Sequence, residues 1–322
     1  QWYSSPSGGA TAFYLLEQAV DSVDSVYVDD VLQTITTDYT VNLTTGLVTF
    51  TSTVSEGTNN VKIQYTKGTG DRSKILGQKF CELFNGATDT RVCLYGDGTN
   101  RAYYSGIPYT TGLPSAEYFP DLNVLDIGDE NTPITGMVRH FNKLMSFKPD
   151  GNGAYLTYYN TLTLSDGTTT AGFYTYPIDR DTGNDVYGQV KLVNNYPITL
   201  TNGAAYRWSL VYSSGTVDER SAKPISNRVS ETMAGFTWDS VITFDDPFSR
   251  EYWIHDTASD TTCIYSYVNE TDYSASYKNN LWFIYTGIDA TCFVLFNGEV
   301  YFGTSDGSLM KFSRDYRSDN GS

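Results

Sequence analysis

Histidine is nearly missing from this chain. His140 and His255 are the only two, so imidazole chemistry would have to run through those positions. Cysteine is almost as scarce. Cys81, Cys93, Cys263 and Cys292 are far apart and none forms a C-x-x-C pair. A zinc site needs clustered ligands, so no metal is expected. The four thiols read as buried and reduced, which suits assembly in a cytoplasm. Charged residues make up 18% of the chain and leave a net charge of −16. A generic binder of nucleic-acid phosphates is basic, so this balance argues against coating of DNA. No apolar run approaches a membrane span, and no secretory leader is visible. The chain opens at Gln1 and stops at Ser322 just after a turn signal, so it reads as a fragment or a processed product.

What is abundant is tyrosine, at 27 copies, with Thr, Ser, Gly and Asn between. That mixture favours strands and tight turns over helices. In residues 26–66, Val26, Val28, Tyr39, Val41, Val48, Phe50, Val61, Ile63 and Tyr65 alternate with polar residues, and Thr45-Gly46 and Glu56-Gly57 mark turns. This pattern predicts a small antiparallel β-sandwich. The preceding "AFYLLEQAV" (12–20) fits a strand or a short helix, and "KGTGDRSK" (67–74) reads as a linker. The expected organisation is a sandwich module over 1–70, incomplete, followed by a propeller-like domain over 71–322, incomplete at its C-terminal end.

The second region repeats itself. "MVRHFNKLMSFKPDGNGAYLTYY" (137–159) and "CFVLFNGEVYFGTSDGSLMKF" (292–312) align Phe141-Asn142 with Phe296-Asn297, and Asp150-Gly151 with Asp306-Gly307. "RVCLYGDGTNRAYYSGI" (91–107) is a more distant cousin, and "EYWIHDT", "TCIYSYV" and "NLWFIYTGI" add strands over 251–288. Recurrent groups of short strands predict an all-β fold with β-propeller architecture; a pair of β-sandwiches is the alternative. Trp282 and Phe302 lie in apolar strands that should face neighbouring sheets. One short helix is expected near 225–234, where Ile225, Val229 and Met233 recur at helical spacing between Pro224 and Gly235, on the outside of the β domain.

Catalytic chemistry has little to build on. His140 and His255 sit in apolar strands, and no serine lies in a G-x-S-x-G elbow. Asp245, Asp246, Asp150, Asp166 and Asp306 offer carboxylates for glycan hydrolysis, but most lie beside Gly or Pro, where Asp caps a turn. Around Asp306, "GTSDGSLMKF" does not match the sialidase Asp box, because Gly follows Asp directly. "DRDTGND" (179–185) spaces Asp179, Asp181 and Asp185 as calcium ligands might be spaced, but Gly183 occupies a ligand slot and no bidentate Glu follows. No catalytic, cofactor-binding or metal-ligating residue is assigned, and no cofactor is expected.

Several runs resemble tailed-bacteriophage structural proteins of the tail-nozzle or stabilisation class. They are "DYTVNLTTGLVTF" (38–50), "RVCLYGDGTNRAYYSG" (91–106), "SAEYFPDLNVLDIGDENTPITGMVRHFNKLMSFK" (115–148), "ERSAKPISNRV" (219–229), "ITFDDPFSREYWI" (242–254), "CIYSYV" (263–268), "NNLWFIYTGIDATCFV" (279–294) and "NGEVYFGTSDGSLMKF" (297–312). The resemblance spans about residues 26–315 and brings no catalytic residue with it. It implies a propeller with an appended sandwich, located in the virion neck or tail and assembled in the host bacterial cytoplasm. It further implies self-association into a ring that retains the genome and then passes it, with portal-side adaptor and other tail proteins as neighbours. DNA would pass without tight binding, with acidic residues turned to the inner wall. A receptor- or glycan-binding tail component, with or without glycan hydrolysis, is the alternative. Strands that a complete family member would have are missing at both ends.

Overall fold

Period-two alternation with β-branched and aromatic residues on one side leaves a strand with one apolar face, which must find another sheet. The computed structural model, which describes residues 1–68, 72–85, 90–106, 116–163, 169–211, 219–268 and 281–313, follows this rule in its N-terminal sandwich, while interior strands further on are buried on both faces. The protein is all-β and propeller-like, built mainly of four-stranded antiparallel sheets. It divides into two compact units, residues 1–130 with 157–175, and residues 131–156 with 176–322.

The first unit opens with strands β1 (Trp2–Ser5), β2 (Ala10–Tyr14), β3 (Ser22–Val28), β4 (Val31–Leu32), β5 (Tyr39–Asn42), β6 (Leu47–Val54) and β7 (Gly57–Thr66). They form two sheets, ordered β1-β7-β3-β4 and β2-β6-β5. Phe13, Val48, Phe50 and Val54 from one sheet meet Val26, Val61 and Ile63 from the other in a shared core. The "AFYLLEQAV" stretch resolves as a strand, β2, followed by turns. Gly46 shows why a turn here needs glycine: its φ is +67°, and a Cβ would lie 2.2 Å from the Glu17 carbonyl oxygen.

Four further strands, β8 (Phe80–Asn85), β9 (Thr90–Tyr95), β10 (Arg101–Tyr104) and β11 (Val124–Asp126), run as a meander in the same unit. A buried ionic cluster ties the residues before β11 to the sandwich. Lys67 is paired with Asp121 and lies 3.4 Å from Glu17, all three side chains being 11–14% exposed. Lys67 also donates to the Gln18 carbonyl (2.9 Å), and the Gln18 and Asp121 amides donate to Asp121 and Glu17. Burial pushes the Glu17 carboxyl up, against the pull of the Asp121 amide and Lys67. Burial acts on Asp121 in the same direction, but the Lys67 and Gln18 bonds hold its carboxyl below the usual range. Within the stretch expected to be a linker, Ser73–Leu76 form a single helical turn, α1.

The second unit is built from successive meanders. Strands β12 (Gly136–His140), β13 (Lys143–Phe147), β14 (Ala154–Thr163) and β15 (Thr169–Asp179) form one sheet, whose last two strands contribute residues 157–175 to the first unit. Next come β16 (Lys191–Val193), β17 (Tyr196–Thr201), β18 (Ala204–Val211) and β19 (Glu219–Pro224). The third sheet is β20 (Val241–Asp246), β21 (Glu251–Asp256), β22 (Thr261–Ser266) and β23 (Leu281–Thr286). The last has three strands, β24 (Cys292–Phe296), β25 (Glu299–Gly303) and β26 (Leu309–Lys311). The first strands β12, β16, β20 and β24 stand beside one another in turn. Such radial succession is the propeller arrangement.

Sheets pack through both faces. Trp208, wholly buried, donates from its indole to Thr199 (2.9 Å) and packs with Phe147 in the core shared by the β12 and β16 sheets. Between β19 and β20 the chain makes a 3-10 turn (Asn227–Val229), an α turn, α2 (Ser230–Met233), and a second 3-10 turn (Trp238–Ser240), so the expected helix is shorter than its periodicity predicted. Its apolar residues do not lie on the outside. Ile225, Val229, Met233 and Phe236 are buried in the core that also holds Leu200, Tyr252 and Ile254. Trp282 packs partly buried against the same core, its indole donating to the Ile225 carbonyl (3.0 Å).

The cysteines correct one expectation. Cys93 and Cys263 are buried, but Cys81 and Cys292 are exposed, because each lies at an outward position of its strand; all four are free thiols. No helix among the described residues is long and apolar enough to cross a membrane.

Replacing Lys67 by Met should leave Glu17 and Asp121 facing each other with only the more exposed Lys74, 3.8 Å from Asp121, as counter-charge. Breaking a buried ion pair from one side costs about 3 kcal/mol. Urea denaturation should show that loss.

Candidate functional site

The titratable residues singled out from the sequence are brought into structural roles, not into one place. His255 is fully buried; its Nδ1 lies 2.8 Å from the Thr262 hydroxyl and its Nε2 lies 3.0 Å from the Ala290 carbonyl. A carbonyl can only accept, so Nε2 carries the proton and Nδ1 accepts from Thr262. Burial holds this imidazole neutral, below the usual histidine range. His140 is 2% exposed and packs against the Phe141 ring at 4.6 Å.

Asp245 and Asp246 are consecutive on β20, so their side chains leave opposite faces and cannot act as a pair on one substrate. Asp246 is buried and accepts from the Phe248 and Ser249 amides, closing the turn to β21. Asp245 accepts from the Tyr267 hydroxyl (2.9 Å). Burial, and next the Asp246 charge, push its carboxyl up to about 6 against the Tyr267 bond and Lys191. Asp306 accepts from Thr304 and from the Ser308 amide within the β25–β26 turn, where Gly307 has φ +86°. These are the backbone duties expected of an Asp-Gly turn.

The "DRDTGND" loop likewise spends its carboxylates on fixing the backbone. Asp179 accepts from the Asp181 and Thr182 amides, and Asp185 accepts from the Asp150 and Asn202 amides and the Thr201 hydroxyl. Gly183 is there for space, since a Cβ would lie 2.1 Å from the Lys148 carbonyl oxygen. Asp166 lies outside the described residues. Among the described residues no group of three or more His, Cys, Asp and Glu side chains is placed to hold a metal ion.

A different arrangement emerges at the turns that join the first and second strands of successive sheets. Because the first strands neighbour one another, these turns fall at one end of the second unit. Local contacts fix the alignment. The Gly188 amide donates to the Thr135 carbonyl just before β16 and β12 begin (2.8 Å). Gln189 then binds Thr243 of β20. At the far ends, a Cβ on Gly298 would meet the Phe248 ring at 3.8 Å.

At this end Phe141, Phe248 and Phe296 are 60%, 70% and 62% exposed. Each sits on a fixed turn. Phe141 itself has φ +57°, a region that bulky side chains avoid, and its carbonyl accepts from Arg139 Nε (3.0 Å). Phe248 is held by Asp246, and Phe296 precedes an Asn297-Gly298 turn with φ +52° and +79°. Asn194 and Asn195, both with positive φ, make the corresponding turn between β16 and β17. Positive φ at both central residues is the type I′ signature that matches strand twist.

The repeat seen in the sequence is therefore real, but one pairing shifts. Phe141 is the first turn residue, whereas Phe296 is the last residue of β24, so Phe141-Asn142 corresponds to Asn297-Gly298. Asp150-Gly151 and Asp306-Gly307 do correspond, each in the next turn of its sheet. Sequence reading missed Phe248 as an exposed group; the only signal was its place after Asp-Asp-Pro.

No family model and no curated protein matches this chain. One solved structure, a protein from Lactobacillus plantarum determined as a structural-genomics target, aligns over 91% of this chain and 82% of its own length. Its identity is 11% and its TM-score 0.40.

Two outcomes follow from these geometries. Asp245 has its folded pKa raised above the unfolded value, so the stability it confers when protonated is lost as pH rises from about 4 through about 6. Asp245→Asn should raise the melting temperature at pH 7.5 and lose that advantage at pH 4, read from paired thermal melts. Phe141→Asn should relieve about 1 kcal/mol of left-handed strain; a lowered denaturation midpoint would show that the aromatic contact outweighs it.

Proposed function

We propose that this protein is a non-enzymatic structural component that works by docking, of the tail-nozzle type its sequence resembles, assembling into a ring in the phage neck or tail. The observation that carries this reading is the set of exposed phenylalanines, Phe141, Phe248 and Phe296, at or beside the first turns of the first, third and fourth sheets of the second unit. Solvent-exposed aromatics on rigid supports lose little entropy when covered, and such side chains anchor protein interfaces. The titratable groups spend their hydrogen bonds on turns and cores, which fits a mechanical role. In this reading portal-side and other tail proteins are the neighbours, and DNA passes without being gripped, in keeping with the net charge of −16.

A second reading has its own support. Asn142 and Asn297 lie in the same turns as Phe141 and Phe296, and Asn194 and Asn195 form the turn of the sheet between. Amides beside aromatic faces also suit sugar rings, as in a receptor- or glycan-binding tail component.

The two separate in one experiment. Sedimentation velocity of the purified chain should show a closed oligomer. A Phe141→Ser, Phe248→Ser, Phe296→Ser variant should remain monomeric with an unchanged melting temperature. A wild type that stays monomeric, or a variant that assembles equally well, would overturn the ring; saturable binding in a glycan array, lost in the same variant, would support the second reading.

A further inference from the structure

The outer face of the β1-β7-β3-β4 sheet carries a cross-strand row of its own. Trp2, Lys62, Tyr27 and Leu32 stand opposite one another on the four successive strands. Their neighbours Val26, Val61 and Ile63 turn the other way, into the sandwich core, so the row takes no part in that core. The Lys62 ammonium is held between two rings, 5.2 Å from the centre of Trp2 and 5.4 Å from that of Tyr27. Trp2 is 41% exposed and Leu32 60%. In the next row on the same face, Ser25 and Gln64 stand opposite each other.

The polar tips of this row have no acceptor in the protein. Among the described residues, no carboxylate pairs with Lys62, and nothing accepts from the Trp2 indole N–H or the Tyr27 hydroxyl. The carboxylates of the same hairpin are placed elsewhere. Asp24 accepts from Ser22 and Thr66, and Asp29 and Asp30 make the β3–β4 turn. An ammonium fixed between aromatic faces, without a protein counter-ion, is a set point for an anion.

The form of the face selects the kind of anion. A sheet face does not enclose a small molecule, so a chain laid across the strands makes the larger contact. Trp2 and Tyr27 are two strand spacings apart, about 10 Å, with one cation between them. That ratio suits a polymer with sparse charge. A nucleic acid brings a phosphate at every nucleotide and needs several cations, and Asp24, Asp29 and Asp30 would oppose it. Sugar hydroxyls accept from the indole, the phenol and the Gln64 amide, and the apolar C–H faces of sugar rings suit aromatic surfaces.

We propose that the Trp2–Lys62–Tyr27 row is a binding strip for an acidic polysaccharide. Lys62 pairs with a uronate carboxylate, and Trp2 and Tyr27 contact the sugars on either side. The strip belongs to the first unit and is a function beyond the docking role of the phenylalanine turns.

The test uses the purified chain and oligogalacturonate, with uncharged dextran of similar length and an oligo-dT strand as controls. Calorimetric titration should show saturable binding of oligogalacturonate that weakens with added salt, and none of dextran. Lys62→Gln and Trp2→Ala should each weaken binding about tenfold or more, while Lys62→Arg, which keeps the charge between the rings, should retain it. The Phe141→Ser, Phe248→Ser, Phe296→Ser variant should bind as wild type does, which separates this strip from the turns. Absent binding, equal binding of dextran, tighter binding of oligo-dT, or binding unchanged in both weakening variants would overturn the proposal. If Lys62→Gln or Trp2→Ala lowers the melting temperature, the wild type decides it: oligogalacturonate should slow acetylation of Lys62 by acetic anhydride, read by mass spectrometry, and an unchanged rate would overturn the strip.

Discussion

The constraint on which the second unit depends is that its interior sheets are apolar on both faces. A sheet with one wet face can end a structure; a sheet with two dry faces needs a neighbour on each side. On the β20–β23 sheet, Tyr252, Ile254, Cys263 and Tyr265 face the preceding sheet, while Phe244, Trp253 and Ile264 face the following one. Radial stacking answers that demand with local connections, because each meander ends where the next can begin. The helical turn at α2 is part of the same solution. It fills the space where the connection from β19 to β20 would otherwise leave the core open, which explains why Met233 is wholly buried.

Stacking by faces leaves the turns free to vary, and that is where the surface chemistry lies. The same backbone device, positive φ at the tip of a two-residue connection, is met by Asn-Asn, by Asn-Gly and, at Phe141, by a residue that pays in strain. Against that strain stands the contact of the Phe141 ring with His140. The first unit solves a different problem with charge: Lys67, Glu17 and Asp121 weld the sandwich to the segment before β11 without extending either hydrophobic core.

Much of the fold was legible in the chain. All nine alternating residues of 26–66 face or pack against the sandwich core, since one buried face per strand leaves an unambiguous period of two. The Asp-Gly turns and the strands of 251–288 were equally readable. The ionic cluster was not, because its members come from three places in the sequence and Lys67 opens what looks like a linker. The exposure of Cys81 and Cys292 was hidden for a related reason: strand residues alternate, but which side is wet is set by the neighbouring sheet, not by the strand. The same limit applies to the phenylalanines, where aromatic residues beside turns read as core until the ends of several strands are seen together.

The exposed thiol of Cys292 has a consequence of its own. Its sulfur sits over Gly303, on the face of the last sheet that also carries Val294, Phe296 and Leu309, all exposed. The thiol belongs to the first residue of β24 and marks one end of that apolar face. The rate at which a small neutral alkylating reagent captures it reads how open that end of the last sheet is to solvent.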